Sequence, residues 1–323
     1  MRWRRAWTAI GLSVLAAAAA GAADGDLLER EEVAVDAALL PPRITPEERA
    51  QLQARVAEGR SCAALAHRVH ERRPPRLRVP GGTGWRGAGA RVIFATAAGT
   101  RTRLLGDMRA AFLLGPLAAR GYVVVASQYR GAHGAPGHDE LGGADVDDVL
   151  HLIPLLETLP EADAGRLGMV GWSRGALMTY LALARTERFR AAVVAGAVSD
   201  SVQLLAQRPE MAEVYARLVP GWDGDRERAL IARSPIRWPE RLAAETPLLI
   251  LHGSADARVD PVQSLRMAAA LLAIRRPFRL VMLEGGSHGL SEHRSEVERL
   301  IGDWLDRYVR DGRAWPALEP HGD

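Results

Sequence analysis

Five residues, Gly171-Trp172-Ser173-Arg174-Gly175, follow a short apolar run at 167–170 and precede a helical pattern that starts at Ala176. No other feature of the chain restricts its fold as strongly. A strand that turns into a helix over so few residues reverses sharply, and a glycine two residues either side of the serine removes the Cβ atoms that would block the turn. The turn lifts the Ser173 hydroxyl clear of both elements. The helix start aims unpaired N–H groups and the positive end of its dipole at the place where an oxyanion would form. G-x-S-x-G also arises as an ordinary Gly-rich strand-to-helix turn, so its weight comes from the strand before it and the helix after it.

The rhythm around this turn extends through most of the chain. Apolar runs at 92–95, 122–126, 167–171, 191–195, 247–252 and 278–283 read as strands. Between and after them, 102–119, 144–156, 176–184, 262–274 and 292–309 read as helices. Such alternation predicts an α/β fold with a mostly parallel central sheet and helices on both faces. In such sheets function gathers at the carboxyl ends of the strands. Ser173 and the loops after His252 and Leu283 all fall there.

A serine hydroxyl is a weak nucleophile at its own pKa, so it needs a base, and the base needs an orienting carboxylate. The strand ending at His252-Gly253 runs into Ser254-Ala255-Asp256-Ala257-Arg258-Val259. Asp256 therefore sits just past a strand end, with Asp260 as its competitor. The next strand ends in Glu284-Gly285-Gly286-Ser287-His288-Gly289, where flanking glycines let the loop fold His288 back over Ser173. His293 competes but begins a helical stretch, and His252 reads as a structural strand-end histidine. The chain order Ser, Asp, His is that of the α/β-hydrolase fold.

With these residues in hand, the stretch 91–309 resembles the catalytic domain of the prolyl oligopeptidase family of serine peptidases. The resemblance rests on ordered blocks: Tyr129-Arg130-Gly131, Gly142-Gly143-Ala144-Asp145-Val146-Asp147-Asp148, the Ser173 turn, Ser234-Pro235-Ile236, His252-Gly253 with Asp256 and Val259, and Gly286-Ser287-His288. It implies an α/β-hydrolase fold and a triad of Ser173, Asp256 and His288, with no cofactor and no metal. It also implies an oxyanion hole built from the backbone N–H of Arg174 and one near Ala97 or Ala98. Arg130, Asp145 and Asp148 read as structural charges that pin loops at the sheet edge.

The chain departs from that family in three respects. Larger members carry a β-propeller, but the roughly 68 residues at 23–90 are too few for four four-stranded blades and read as a short helical extension. Thr96-Ala97-Ala98-Gly99-Thr100 stands where His-Gly-Gly-Pro is frequent, so no His or Tyr side chain is available there as an oxyanion donor. The stretch Asp200-Ser201-Val202-Gln203-Leu204-Leu205 lacks the aromatics of proline-specific relatives, so proline specificity is not expected. The helical segment 203–222 is a candidate lid. Leu204, Tyr215 and Trp222, with Trp172 of the turn, are candidate substrate-pocket residues, and plain packing is the competing role.

The first 22 residues read as a signal peptide: Arg2, Arg4 and Arg5, an Ala-rich apolar stretch at 6–19, then Ala20-Gly21-Ala22. That stretch is short and weakly apolar for a membrane span, so processing to an exported protein without a stable anchor is expected. Removing those three arginines from the 42 basic residues leaves 39, equal to the 39 acidic ones. With no arginine stripe interleaved with aromatics, nucleic-acid binding has no support. The lone Cys62 excludes an internal disulfide framework. None of the nine histidines has H-E-x-x-H spacing, and His67, His70 and Cys62 make a poor zinc set.

The expected organisation is a signal peptide at 1–22, a helical extension at 23–90, a catalytic domain at 91–310 and a tail at 311–323. The expected activity is peptidase action on small peptides. A carboxylesterase acting on small acyl esters is the alternative, because one triad serves both bonds. A non-catalytic binding protein on the same fold is the third reading. Composition carries no signal for oligomeric state.

Overall fold

Uninterrupted apolar runs form the middle of the sheet because both of its faces are covered. The computed structural model describes residues 116–322, apart from 118–119, 128, 132–136 and 158–161; before them it describes only the backbone of 11–13, 15–17, 32–34, 64–65 and 90–96. The principal strands are β1 (Ala90–Thr96), β2 (Val123–Ser127), β3 (Ala162–Trp172), β4 (Phe189–Ala195), β5 (Leu248–Gly253) and β6 (Phe278–Leu283). They pair in parallel in the order β6-β5-β4-β3-β1-β2. From β1, inside the sheet, the chain steps outward to β2, then crosses to β3 on the other side of β1. That reversal opens a crevice at the carboxyl ends of β1 and β3. The turn carrying Ser173 lies there.

Register within the strands sends alternate residues to opposite layers. Val194 of β4 and Ile250 of β5 enter one core with Met169, Leu177 and Met267. Their neighbours Val193, Leu249 and Leu251 enter the other, with Ile301 and Leu305. The first layer is covered by α1 (Asp145–Leu150), α2 (Leu152–Glu157), α3 (Arg174–Leu183) and α7 (Val262–Ala273), and the second by α8 (Arg294–Leu305). Between β4 and β5 run α4 (Ser201–Gln207), α5 (Met211–Leu218) and α6 (Arg226–Ala232); the candidate lid at 203–222 takes in α5 and most of α4.

The expected α/β-hydrolase architecture is present, with local differences. β3 begins five residues before the predicted run, because its polar first half carries no apolar rhythm; Asp163 and Arg166 pair there at 2.5 Å. The helix predicted over 144–156 is two. Pro154 has no N–H, and its ring would crowd the carbonyl of Leu150, where α1 ends. The last helix stops at Leu305 and continues as a wider turn, Asp306–Arg310.

Short strands at Leu15–Ala17 and Ala64–Leu65 pair with β2, and Gly11–Ser13 pairs with Glu32–Ala34. Apart from these segments, the signal peptide and helical extension lie outside the described residues. So do Cys62, His67, His70, Ala97, Ala98 and all but the end of the helix predicted over 102–119.

Arg130 and Asp148 pin the loop after β2 to α1, as their sequence context suggested. The guanidinium meets the carboxylate at 2.6 and 3.0 Å, and the Arg130 N–H adds a bond of 2.8 Å. Asp148 is fully buried and Arg130 is 19% exposed, so removing the acid strands a cation that rehydrates only in part. Asp148→Ala is expected to lower the unfolding free energy by about 3 kcal/mol, the low end for breaking a buried pair. A urea titration followed by tryptophan fluorescence measures it.

Candidate active site

The serine is held by backbone. Ser173 adopts φ 56° and ψ −120°, a left-handed conformation that a non-glycine residue occupies only when its surroundings enforce it. Its N–H donates to the Ala195 carbonyl at 2.8 Å, and its own carbonyl accepts from Ala176 N–H at 3.0 Å as α3 begins. Gly171 makes the turn feasible: a Cβ there would stand 2.2 Å from the Gly175 carbonyl oxygen and 2.3 Å from Thr179 Oγ1. Arg174 is the first residue of α3, so its N–H belongs to the first turn, where helix geometry supplies no acceptor. The other expected donors, near Ala97 and Ala98, lie outside the described residues.

His288 bridges the serine and a carboxylate. Its Nε2 lies 2.8 Å from Ser173 Oγ and its Nδ1 2.7 Å from Asp256 Oδ2. An ionised carboxylate only accepts, so Nδ1 carries the proton and Nε2 is left to accept from the hydroxyl. The loop bearing His288 is tied at several points. Trp172 Nε1 donates to the His288 carbonyl at 2.9 Å, and the Gly286 carbonyl accepts from Ala255 N–H at 3.0 Å. Gly196 lets the backbone after β4 pass beside the ring, where a Cβ would meet His288 atoms at 3.2 Å.

Asp256 is the carboxylate within reach of His288, and the competing candidates are occupied elsewhere. Asp260 accepts from Val262 N–H at 2.9 Å and from Gln207 Nε2 at 2.5 Å. His293 faces the Glu284 carbonyl at 2.7 Å. Asp256 Oδ1 accepts from the N–H groups of Arg258 and Val259 at 2.8 and 3.0 Å. Burial alone would raise its pKa, but hydrogen bonds from His252, His288 and these two backbone groups outweigh it and hold the carboxyl far below the usual range.

Sequence reasoning used only the backbone of Arg174 and missed its side chain. The guanidinium binds Asp139 through two bonds of 2.6 and 2.5 Å and Asp145 through one of 2.7 Å, and lies 4.5 Å over the Tyr129 ring. Burial would lower the Arg174 pKa, but Asp139, Tyr129 and Asp145 raise it overall, so the charge is permanent. Asp145 is fully buried and also accepts from Gly142 and Gly143 N–H at 2.9 and 2.7 Å. The signal was present in the sequence as three carboxylates, Asp139, Asp145 and Asp148, facing two arginines.

Of the four pocket candidates, Leu204, Tyr215 and Trp222 are buried and Trp172 is half-buried. Tyr215 and Trp222 stack at 5.3 Å and are 1% and 4% exposed, against Leu141 and Leu230. Leu204 is buried with Val198 and Val259. Trp172 is half-buried, its indole committed to the His288 carbonyl.

The arrangement has a consequence for acid stability. Native Asp256 stays ionised at pH values where the unfolded chain would protonate it. Its stabilisation is therefore present above about pH 4 and lost as the pH falls further. In unfolding titrations between pH 5 and 3, wild type is expected to lose stability more steeply than Asp256→Asn, by up to about 1.4 kcal/mol per pH unit for one proton.

Comparison with known proteins places this chain in a family. Residues 110–312 match the model of the prolyl oligopeptidase family. An uncharacterized peptidase of Bacillus subtilis, YuxL, is 33% identical over 208 residues, covering 60% of this chain and 31% of that protein. The acylamino-acid-releasing enzyme of Sus scrofa is 28% identical over 205 residues, covering 58% of this chain and 28% of that protein. Among solved structures, a puromycin-hydrolyzing peptidase of Mycobacterium tuberculosis superposes with a TM-score of 0.59 at 26% identity, covering 73% of this chain and 36% of that one. The chain spans about a third of the length of these proteins.

Proposed function

The chain belongs to the prolyl oligopeptidase family, and from that premise we propose that it is a serine peptidase acting on small peptides through Ser173, His288 and Asp256. The observation that carries the reading is the His288 ring, within hydrogen-bond reach of Ser173 Oγ on one side and Asp256 Oδ2 on the other. Ser173 Oγ attacks the scissile carbonyl carbon while His288 Nε2 takes the hydroxyl proton. Asp256 holds the Nδ1–H tautomer and stabilises the imidazolium. The tetrahedral oxyanion is received by the Arg174 N–H, with a second N–H near Ala97 or Ala98. His288 then gives its proton to the leaving amine, and an acyl-enzyme remains. Water, deprotonated by the same imidazole, releases the acid and restores the serine.

Small peptides are favoured because relatives are named for acylamino-acid release and puromycin hydrolysis. Turnover of an aminoacyl-p-nitroanilide, together with fluorophosphonate labelling, is the expected outcome. Ser173→Ala is expected to lose the labelling and to lower kcat by about four to six orders of magnitude without a change in Tm. Turnover of p-nitrophenyl acetate alone moves the assignment to carboxylesterase. Absence of labelling in folded wild type leaves a binding protein.

The reading includes export. Its support is Arg2, Arg4 and Arg5, the Ala-rich stretch and the Ala20-Gly21-Ala22 site. Expressed with its full N-terminus in a Gram-negative host, the protein is expected in the periplasmic fraction. N-terminal sequencing there should begin at Ala23, and an intact Met1 in the cytoplasm refutes export.

A further inference from the structure

A second imidazole stands against Asp256, and the acyl-transfer steps do not use it. His252, near the end of β5, is fully buried. Its Nε2 lies 3.0 Å from the Val259 carbonyl oxygen and 3.1 Å from Asp256 Oδ2, the same oxygen that receives His288 Nδ1–H. A carbonyl and an ionised carboxylate only accept, so Nε2 carries a proton shared between them. On the other side, Nδ1 meets Ser264 Oγ at 2.6 Å, on the buried first turn of α7. The ring is held at both nitrogens and its tautomer is set.

The two oxygens of Asp256 are thus divided. Oδ1 is committed to the backbone N–H groups of Arg258 and Val259, and Oδ2 to two imidazoles. The last torsion of an aspartate is soft, with a broad minimum. Two backbone donors on one oxygen leave the plane of the other free to tilt. A donor on Oδ2 that does not move with the substrate-facing loop removes that freedom.

The geometry points to His252 as a positioning residue: its Nε2–H, anchored through Ser264, sets the carboxylate plane of Asp256 so that Oδ2 meets His288. An apolar side chain of similar volume fills the same space. It leaves the Val259 carbonyl and a lone pair of Oδ2 buried without this donor, and it cannot orient the carboxylate. The inference rests on the triad proposed above.

The test is a double-mutant cycle on the full chain with p-nitrophenyl acetate as substrate. His252→Leu is expected to lower kcat about ten- to a hundredfold with KM little changed, as for a misplaced catalytic group. His252→Gln carries its amide nitrogen as many bonds from Cα as Nε2, and is expected to recover most of the loss. In an Asp256→Asn background the same His252→Leu change should cost less than about twofold, because the group it positions is already gone. Equal losses in both backgrounds, or glutamine no better than leucine, overturn the inference and leave His252 as packing. If His252→Leu does not fold, Ser264→Ala, which removes the anchor and keeps the ring, takes its place in the cycle under the same criterion. Wild-type turnover that survives Ser173→Ala refutes the triad and this inference with it. Turnover that depends on Ser173 but gives an additive cycle refutes the His252 role alone.

Discussion

The left-handed backbone at Ser173 is the constraint around which the rest is arranged. Such a conformation costs on the order of 1–3 kcal/mol and relaxes unless both flanks are immobile. Here neither flank moves. β3 lies inside the sheet, paired with β1 and β4, and α3 is buried at every position from Gly175 to Leu183. Gly171 lies against the Gly175 carbonyl, so strand end and helix start touch with no side chain between them. The strain is sustained by the burial of α3, and the serine has one position because the helix has one position.

The Arg174 side chain adds a second pin of a different kind. A buried arginine between two carboxylates is weak evidence for stability, since desolvation offsets much of the attraction. Its value is geometric. Asp145 opens α1 and also gathers Gly142 and Gly143 N–H, while Asp139 belongs to the loop before it. One guanidinium therefore fastens the loop after β2 to the residue that follows Ser173 and opens α3. Lysine, a single point charge, cannot span Asp139 and Asp145 while lying over Tyr129.

The parts of this molecule legible in the sequence are those whose cause is local. Apolar runs forecast all six principal strands, and the glycine spacing forecast the turn. Asp256 and His288 were legible because each follows a strand end, and strand ends in a parallel sheet converge. What stayed hidden depends on contacts between distant segments. The polar half of β3 is strand only because β1 lies beside it. Tyr215 and Trp222 look like pocket residues until their stacking is seen, since an aromatic carries no mark of whether it faces a ligand or another ring. His252 was legible as structural, but not that it shares an oxygen with His288, because that depends on how tightly residues 253–259 curl.

That curl ties the Asp256 loop, the His288 loop and α4 into one unit. Gly253 approaches the Gly286 carbonyl so closely that a Cβ would stand 2.1 Å from it, which brings the acid loop against the His288 loop. From the other side, Gln207 at the end of α4 binds Asp260, Arg208 reaches the Arg258 carbonyl at 3.3 Å, and Arg266 of α7 binds Gln203 at 2.8 Å. Helix α4 is therefore fastened to the segment that bears Asp256. All three contacts are exposed, and each exposed polar pair contributes at most about 1 kcal/mol. The buried side of the loop, with its backbone donors and His252, has no such freedom. A displacement of α4 can thus be absorbed at the rim of the acid loop, while the Asp256 carboxylate keeps its orientation toward His288.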